Sequence, residues 1–262
     1  MSMEPMGAPL LEAANLQLRF GAVRALDGVD VEIFPGEVVA IVGESGSGKS
    51  TLLRVLAGAM EPDAGRVLYR DAAGEAHDVQ ALSEAGRRRL MRSDWGFVHQ
   101  NARDGLRMGI SAGGNIGERL MAAGDRNYAH IRAEAADWMG RVEMNPERID
   151  EPPKNFSGGM QQRLQIARCL VTNPRLVFMD EPTGGLDVSV QARLLDLIRG
   201  LVAQLGLAVF FVTHDIGAAR LLAHRIVVMR HGRIVEEGLA DRVLDDPRHA
   251  YTQLLVSSVL AA

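Results

Sequence analysis

The sequence predicts an α/β protein in which buried parallel strands alternate with helices, with an antiparallel β region near the start and a helical subdomain set into the body. Three observations carry the prediction. Residues 38–42 (VVAIV), 176–179 (LVFM) and 208–213 (AVFFVT) are short runs without charge, as expected of parallel strands buried on both faces. Residues 10–20 and 29–33 alternate loosely and end at Pro35-Gly36-Glu37, which reads as antiparallel strands leading into the first buried run. Residues 101–153 change character: Ala, Gly, Met and Arg dominate, β-branched runs are few, and helical spacing appears at 116–123 and 128–142.

The first buried run leads into Gly43-Glu44-Ser45-Gly46-Ser47-Gly48-Lys49-Ser50-Thr51, which fits the phosphate-cradling pattern G-x-x-x-x-G-K-[ST]. A helical pattern follows and stops at Gly58. Strand, glycine loop and helix are the order this chemistry requires. Glycines let backbone N–H groups turn toward phosphate oxygens, and the helix N-terminus adds partial positive charge. Lys49 would reach the β and γ phosphates, and the Ser50 hydroxyl would ligate Mg²⁺. Composition sharpens the match. Of 29 basic residues only Lys49 and Lys154 are lysine, so arginine stands almost everywhere except where a compact ammonium is needed.

Bulk properties bound the rest. A chain of 262 residues can bury a large core as one domain with a subdomain inserted. The net charge of −4 argues against a nucleic-acid surface. Cys169 is the single cysteine, so no internal disulfide can form. No run of about 18 apolar residues exists to span a bilayer, and residues 1–11 lack the basic and apolar regions of a signal peptide. A cytoplasmic location is the expectation, with any membrane contact made through a partner.

Taken in order, Phe20 could stack on an adenine ring, although by itself it reads as a core phenylalanine. Pro62-Asp63-Ala64-Gly65 is a turn before a short strand at 67–69. The helix at 83–91, with Arg87, Arg88, Arg89 and Arg92, reads as a solvated face. Residues 96–100 form a strand ending in His99-Gln100. In the insert, Ile131, Ala135, Trp138 and Val142 fall on one helical face, so Trp138 reads as core. Ser157-Gly158-Gly159-Met160 opens a second helix with a good N-cap, a second anion site in principle, although a capped helix alone is commonplace. Cys169 on that helix reads as a small buried hydrophobe.

The buried run 176–179 ends in Asp180-Glu181, two carboxylates delivered to the sheet edge where open α/β sheets bind ligands. Asp180 would sit in the Mg²⁺ shell, and Glu181 would orient and deprotonate the attacking water. Gly184-Gly185-Leu186-Asp187 turns into a helix at 190–205, and the run 208–213 presents His214-Asp215 at its end. Residues 226–229 and 233–236 flank a His231-Gly232 turn as a hairpin. The other histidines show no metal-ligand spacing.

In this order the motifs resemble the nucleotide-binding subunits of ATP-binding cassette systems over nearly the whole chain. The resemblance rests on Phe20, the loop 43–50, Gln100, the helical segment, Ser157-Gly158-Gly159, Asp180-Glu181, Asp187 and His214. It implies a P-loop NTPase (RecA-like) core with an antiparallel β subdomain. It also implies a single domain over 1–262, with residues 1–100 and 158–262 forming the core and β subdomain and 101–157 the helical subdomain. ATP and Mg²⁺ are the implied cofactors. Phe20 and residues 43–51 are the implied ATP contacts, Ser50, Gln100 and Asp180 the implied metal ligands, and Glu181, His214 and Gln100 the implied catalytic groups. Two subunits are expected to pair head to tail, as a homodimer or with a paralogue. Ser157, Gly158, Gly159 and Met160 would then act in trans, and Asp187 would carry communication between subunits.

Residues 185–197 (GLDVSVQARLLDL) and 247–255 (PRHAYTQLL) look like the peptide and nickel importer ATPases. Residues 95–100 (WGFVHQ), with 104–106 and 111–120, instead resemble the ATPase subunits of bacterial carbon–phosphorus lyase systems, and the importers' Ser-Leu-Asn-Pro stretch is missing. That implies docking onto a soluble lyase core complex, with importer permease subunits as the alternative. Met160 stands where the signature usually has glutamine, Gly184-Gly185 replaces Ser-Ala, and Phe20 replaces the commoner tyrosine.

Overall fold

The computed structural model describes residues 7–260, with side chains through residue 257. The reading of residues 1–11 as something other than a leader rests partly on residues 1–6, which lie outside the described residues. Two compact units emerge: one joins the chain up to Arg87 with the chain from Gly206 onward, and the other runs from Arg88 to Leu205.

The first unit opens with β1 (Leu11–Phe20), β2 (Val23–Ile33) and β3 (Val38–Val42), then α1 (Lys49–Leu56), β4 (Ala64–Arg70) and β5 (Ala76–Asp78). β1 pairs antiparallel with β2 on one side and with β4 on the other, and β5 extends the sheet beyond β4. Alternation fixes this register: Leu11, Ala13, Leu16 and Leu18 are buried, so a one-residue slip would turn them all to water. β3 is buried at every position, as its uncharged sequence required.

The second unit begins within α2 (Glu84–Ser93), which straddles the boundary and buries none of its residues, in keeping with its arginines. β6 (Trp95–Val98), α3 (Ala102–Gly105), α4 (Ala112–Ala122), α5 (Tyr128–Arg141), α6 (Gly158–Leu170), β7 (Leu176–Asp180) and α7 (Val188–Leu205) follow. β6 and β7 pair in parallel, and Trp95 meets Phe178 edge-on with ring centroids 5.4 Å apart. Around α4 and α5 the expected face is the core: Ile131, Ala135, Trp138 and Val142 are all buried, together with Ile116. Each such large side chain contributes about 1.5–3 kcal/mol through removal from water. Asn115, fully buried, accepts from the Arg107 N–H and donates to the carbonyls of Arg107, Ile110 and Ser111, which satisfies a loop that would otherwise strand main-chain groups.

The chain returns to the first unit with β8 (Ala208–Val212), α8 (Ile216–Leu222), β9 (Arg225–Arg230), β10 (Arg233–Leu239), α9 (Ala240–Asp245) and α10 (Ala250–Leu260). β3 lies between β8 and β9, parallel to both, and β10 folds back antiparallel on β9. The C-terminal ends of β3 and β8 are therefore neighbours, and each is followed by residues singled out in the sequence.

Candidate active site

In the first unit the loop after β3 is shaped by contacts that only glycine tolerates. Gly43 has φ +149°, and a Cβ there would lie 2.2 Å from the Met229 carbonyl oxygen. Gly48 has φ +105°, and a Cβ would lie 2.3 Å from the Ala25 carbonyl oxygen. The loop is thus pressed against β2 and β9 at both of these glycines. Gly48 is also the N-cap of α1 and supplies no side-chain acceptor, leaving the helix N-terminus open to an anion. Lys49 is buried, and its Nζ donates to the carbonyls of Gly43 and Glu44, each at 2.7 Å. The Ser47 hydroxyl is buried with no hydrogen-bond partner among the described residues, a polar atom that a phosphate oxygen would satisfy.

His214 is exposed at the end of β8, and Thr213 N–H donates to the Ile41 carbonyl in β3. This places His214 one strand away from the loop, within the same unit. Asp215 is taken up locally, its carboxylate capping α8 at Ala218 N–H. Phe20 departs from its reading as a core phenylalanine: it is 53% exposed. It lies at the last position of β1, paired with Val23, which is also exposed, at the tip of the hairpin. An exposed aromatic at a strand tip is available for stacking on a flat ligand.

The second unit holds the acids and the signature segment. Asp180 ends β7 and is buried. Glu181 follows with φ +42°, a left-handed conformation that a non-glycine residue adopts at a cost of about 1–3 kcal/mol and that clusters at functional sites. It is held there in part by the Gly184 N–H donating to its carbonyl at 2.9 Å. Gln100 Nε2 donates to the Glu181 carboxylate at 3.0 Å, so Gln100 and the candidate base meet directly. Asp187 is exposed at the head of α7, and its carbonyl accepts from Val190 and Gln191.

Ser157 caps α6, its hydroxyl accepting the Met160 N–H at 3.4 Å, and both Ser157 and Gly158 are exposed. Gly159 packs so closely on α7 that a Cβ would lie 2.6 Å from Val190 Cγ1. The Met160 sulfur accepts from Arg148 at 3.7 Å, and the Arg148 guanidinium also lies 4.7 Å over the Phe156 ring and pairs with Glu151. The α6 glutamines have a role that the sequence reading missed. Gln165, 2% exposed, accepts from the His99 N–H at 2.8 Å and donates to the His99 carbonyl at 3.0 Å. Gln162 donates to the same carbonyl at 3.1 Å. Amides at i and i+3 on an otherwise apolar helix face were the signal available: they must find partners once buried.

The donor chemistry fits the two expected ligands. The loop of the first unit offers a glycine-lined main-chain cradle, a lysine and a buried hydroxyl for phosphates. Ser50 in that unit carries a hydroxyl oxygen, and within the second unit Asp180 and Gln100 carry carboxylate and amide oxygens, each taken by itself a hard donor of the kind Mg²⁺ accepts. Among the described residues the one group of three or more His, Cys, Asp or Glu close enough to hold an ion is Asp71, Glu75 and His77, which includes none of these motif residues.

Comparison with known proteins agrees. The family model described as ABC transporter matches residues 26–184. The chain is 60% identical over 255 residues to the "Putative phosphonates utilization ATP-binding protein PhnK" of Escherichia coli (strain K12), covering 97% of this chain and 99% of that one. It is 36% identical over 260 residues to the "Dipeptide transport ATP-binding protein DppF" of the same organism, covering 95% and 76%. Among solved structures, the dimeric post-hydrolysis state of the ATP-binding cassette MJ0796 bound to ADP and Pi superposes with a TM-score of 0.78 at 29% identity, covering 88% of this chain and 98% of that one. The cofactors are ATP and, as usual for such ATPases, Mg²⁺. The chain belongs to the ABC family of ATP-binding, ATP-hydrolysing subunits.

Proposed function

We propose that this ATPase drives conformational change in a carbon–phosphorus lyase assembly of the cytoplasm, pairing head to tail with a second ABC subunit around ATP. The observation that carries the lyase reading is the 60% identity over nearly the full length to a phosphonates-utilization ATP-binding protein, against 35% to 38% for peptide-transport relatives. No helix among the described residues is long and apolar enough to cross a membrane, so the stroke would be delivered through a partner.

In this reading Phe20 stacks on the adenine, residues 43–51 enclose the phosphates, and Lys49 neutralises charge on the β and γ groups. Ser50, Asp180 and Gln100 would be the ligands of Mg²⁺, which when bound would shield the phosphates' charge. Glu181 accepts the proton of the attacking water, and its bond from Gln100 orients the carboxylate toward that water. His214 contacts the γ phosphate from the end of β8. Ser157, Gly158, Gly159 and Met160 close the site of the opposite subunit with the N-terminus of α6, a helix dipole where other P-loop enzymes use an arginine finger. Asp187 lies at the subunit contact and passes the state of one site to the other.

The test is binding of the Glu181→Gln protein, with and without ATP, to purified lyase core complex and to detergent-solubilised importer permeases. ATP-dependent retention on the lyase core is expected. Retention on permeases alone would replace the lyase reading by the importer one, which the tail at 247–255 favours.

A further inference from the structure

The segment 247–255, PRHAYTQLL, stands outside the catalytic motifs, yet it reaches the phosphate loop. The Glu44 N–H, in the first half of the loop, donates to the Tyr251 hydroxyl at 2.9 Å. Tyr251 is 4% exposed, so this bond is shielded from competing water. Its ring is covered by the Arg230 guanidinium, 4.8 Å from the centroid, at the end of β9. The same hairpin grips the loop a second time, where the Gly232 N–H donates to the Ser47 carbonyl at 2.9 Å. Tyr251 itself is anchored below. Its N–H donates to His249 Nδ1 at 3.1 Å, and the Gln253 amide donates to the Pro247 carbonyl at 2.9 Å. Both oxygens of Glu236, from β10, accept N–H groups of the segment, Arg248 at 2.8 Å and His249 at 3.0 Å. All of these residues belong to one compact unit.

From this chain of contacts we infer that Tyr251 is a positioning residue for the phosphate loop: its hydroxyl, carried by the C-terminal helix and anchored on the β9–β10 hairpin, holds Gly43-Glu44 in the conformation that receives ATP. A glycine-rich loop is intrinsically loose, and only the fraction already in the receiving conformation binds without paying to be ordered. Deleting the hydroxyl lowers that fraction. Bound phosphates re-form the loop, so the chemical step itself is untouched. The inference rests on residues 43–50 being the phosphate loop.

Tyr251→Phe in the full chain tests it, since the ring, its burial and its contact with Arg230 remain. ATP and ADP affinity should fall about three- to tenfold, the range that follows from one lost hydrogen bond. KM for ATP should rise by the same factor with kcat unchanged, while the melting temperature stays within about 2 °C. Amide exchange should quicken at residues 43–48 and not in β3. Glu236→Gln, which loosens the anchor, should move KM in the same direction by less. Affinity within twofold of the parent, or a fallen melting temperature with exchange raised throughout, would overturn the inference. Lys49→Ala separates the two levels: if it too binds ATP normally, the phosphate-loop reading fails; if it loses ATP while Tyr251→Phe binds normally, only the role of Tyr251 fails.

Discussion

The two compact units hold the groups proposed to meet a triphosphate with different materials. In the first unit the ready groups are main chain. Gly43 and Gly48 are jammed against the carbonyls of Met229 and Ala25, and Lys49 is tethered to the loop's own carbonyls. In the second unit they are side chains and loops held by glutamine amides. Gln165 and Gln162 hold His99, the next residue Gln100 bonds to Glu181, and Gln161 donates to the carbonyls of Pro153 and Phe156 ahead of Ser157. A main-chain cradle tolerates no added Cβ, whereas an amide network tolerates no lost amide.

The largest effects should separate the units cleanly. Lys49→Ala is expected to abolish measurable ATP binding, checked by nucleotide titration, because the proposed phosphate site would lose a buried ammonium. Glu181→Gln is expected to bind ATP normally while hydrolysis falls by about 10²-fold or more, as general-base contributions run 10²–10⁴. A Glu181→Gln enzyme with parental turnover would place the base elsewhere and leave the second unit a mere binding surface.

A smaller loss should follow from cutting the amide wiring. Gln165→Leu leaves the His99 N–H without its acceptor in a part-buried place and should cost about 1 kcal/mol of stability. With Gln100 less firmly placed, kcat should drop while ATP affinity holds. Urea unfolding and steady-state kinetics on the same sample check both. If affinity falls and kcat does not, the wiring serves the wrong step. Phe20→Ala should be milder, raising KM for ATP by about five- to tenfold, the equivalent of one base stacked on an aromatic ring, with kcat preserved.

The smallest effect concerns Cys169. Burial pushes its thiol up to about 12, from an ordinary 9, against the pull of Arg119 and Arg168. A raised acid means that its contribution to stability is complete below pH 9 and is lost as pH climbs from 9 toward 12. The folded protein should therefore resist thiol reagents at pH 8 and react promptly in urea. Prompt reaction without urea would show that the packing of Cys169 against β6, where a Cβ on Gly96 would meet its sulfur at 2.2 Å, opens readily.

This division also explains what could be read in the sequence. A main-chain cradle must be written as glycine at fixed spacing, so residues 43–50 and their flanking strand and helix were legible, as were the buried runs that became β3, β7 and β8. The burial of Trp138 followed from spacing alone. Phe20 was not legible, because nothing local says whether a strand-tip aromatic has a layer above it. Nor were Gln162 and Gln165, since an amide's partner is set by tertiary approach and not by period. β5 and α10 went unread for simpler reasons. β5 is three residues whose only support is pairing with β4, and α10 opens beyond a Pro-Arg-His segment that reads as loop until Glu236 folds it back.

The division of labour has its most direct test across two copies of the chain. Lys49→Ala subunits lack a working phosphate loop, and Ser157→Arg subunits carry a blocked α6 N-terminus. Each alone should be inactive. An equimolar mixture should recover about a quarter of the parental ATPase rate, since half the pairs are mixed and each mixed pair completes one site in two. No activity in the mixture, with mixed pairs verified by mass, would contradict a site shared between the phosphate loop of one subunit and Ser157 of the other.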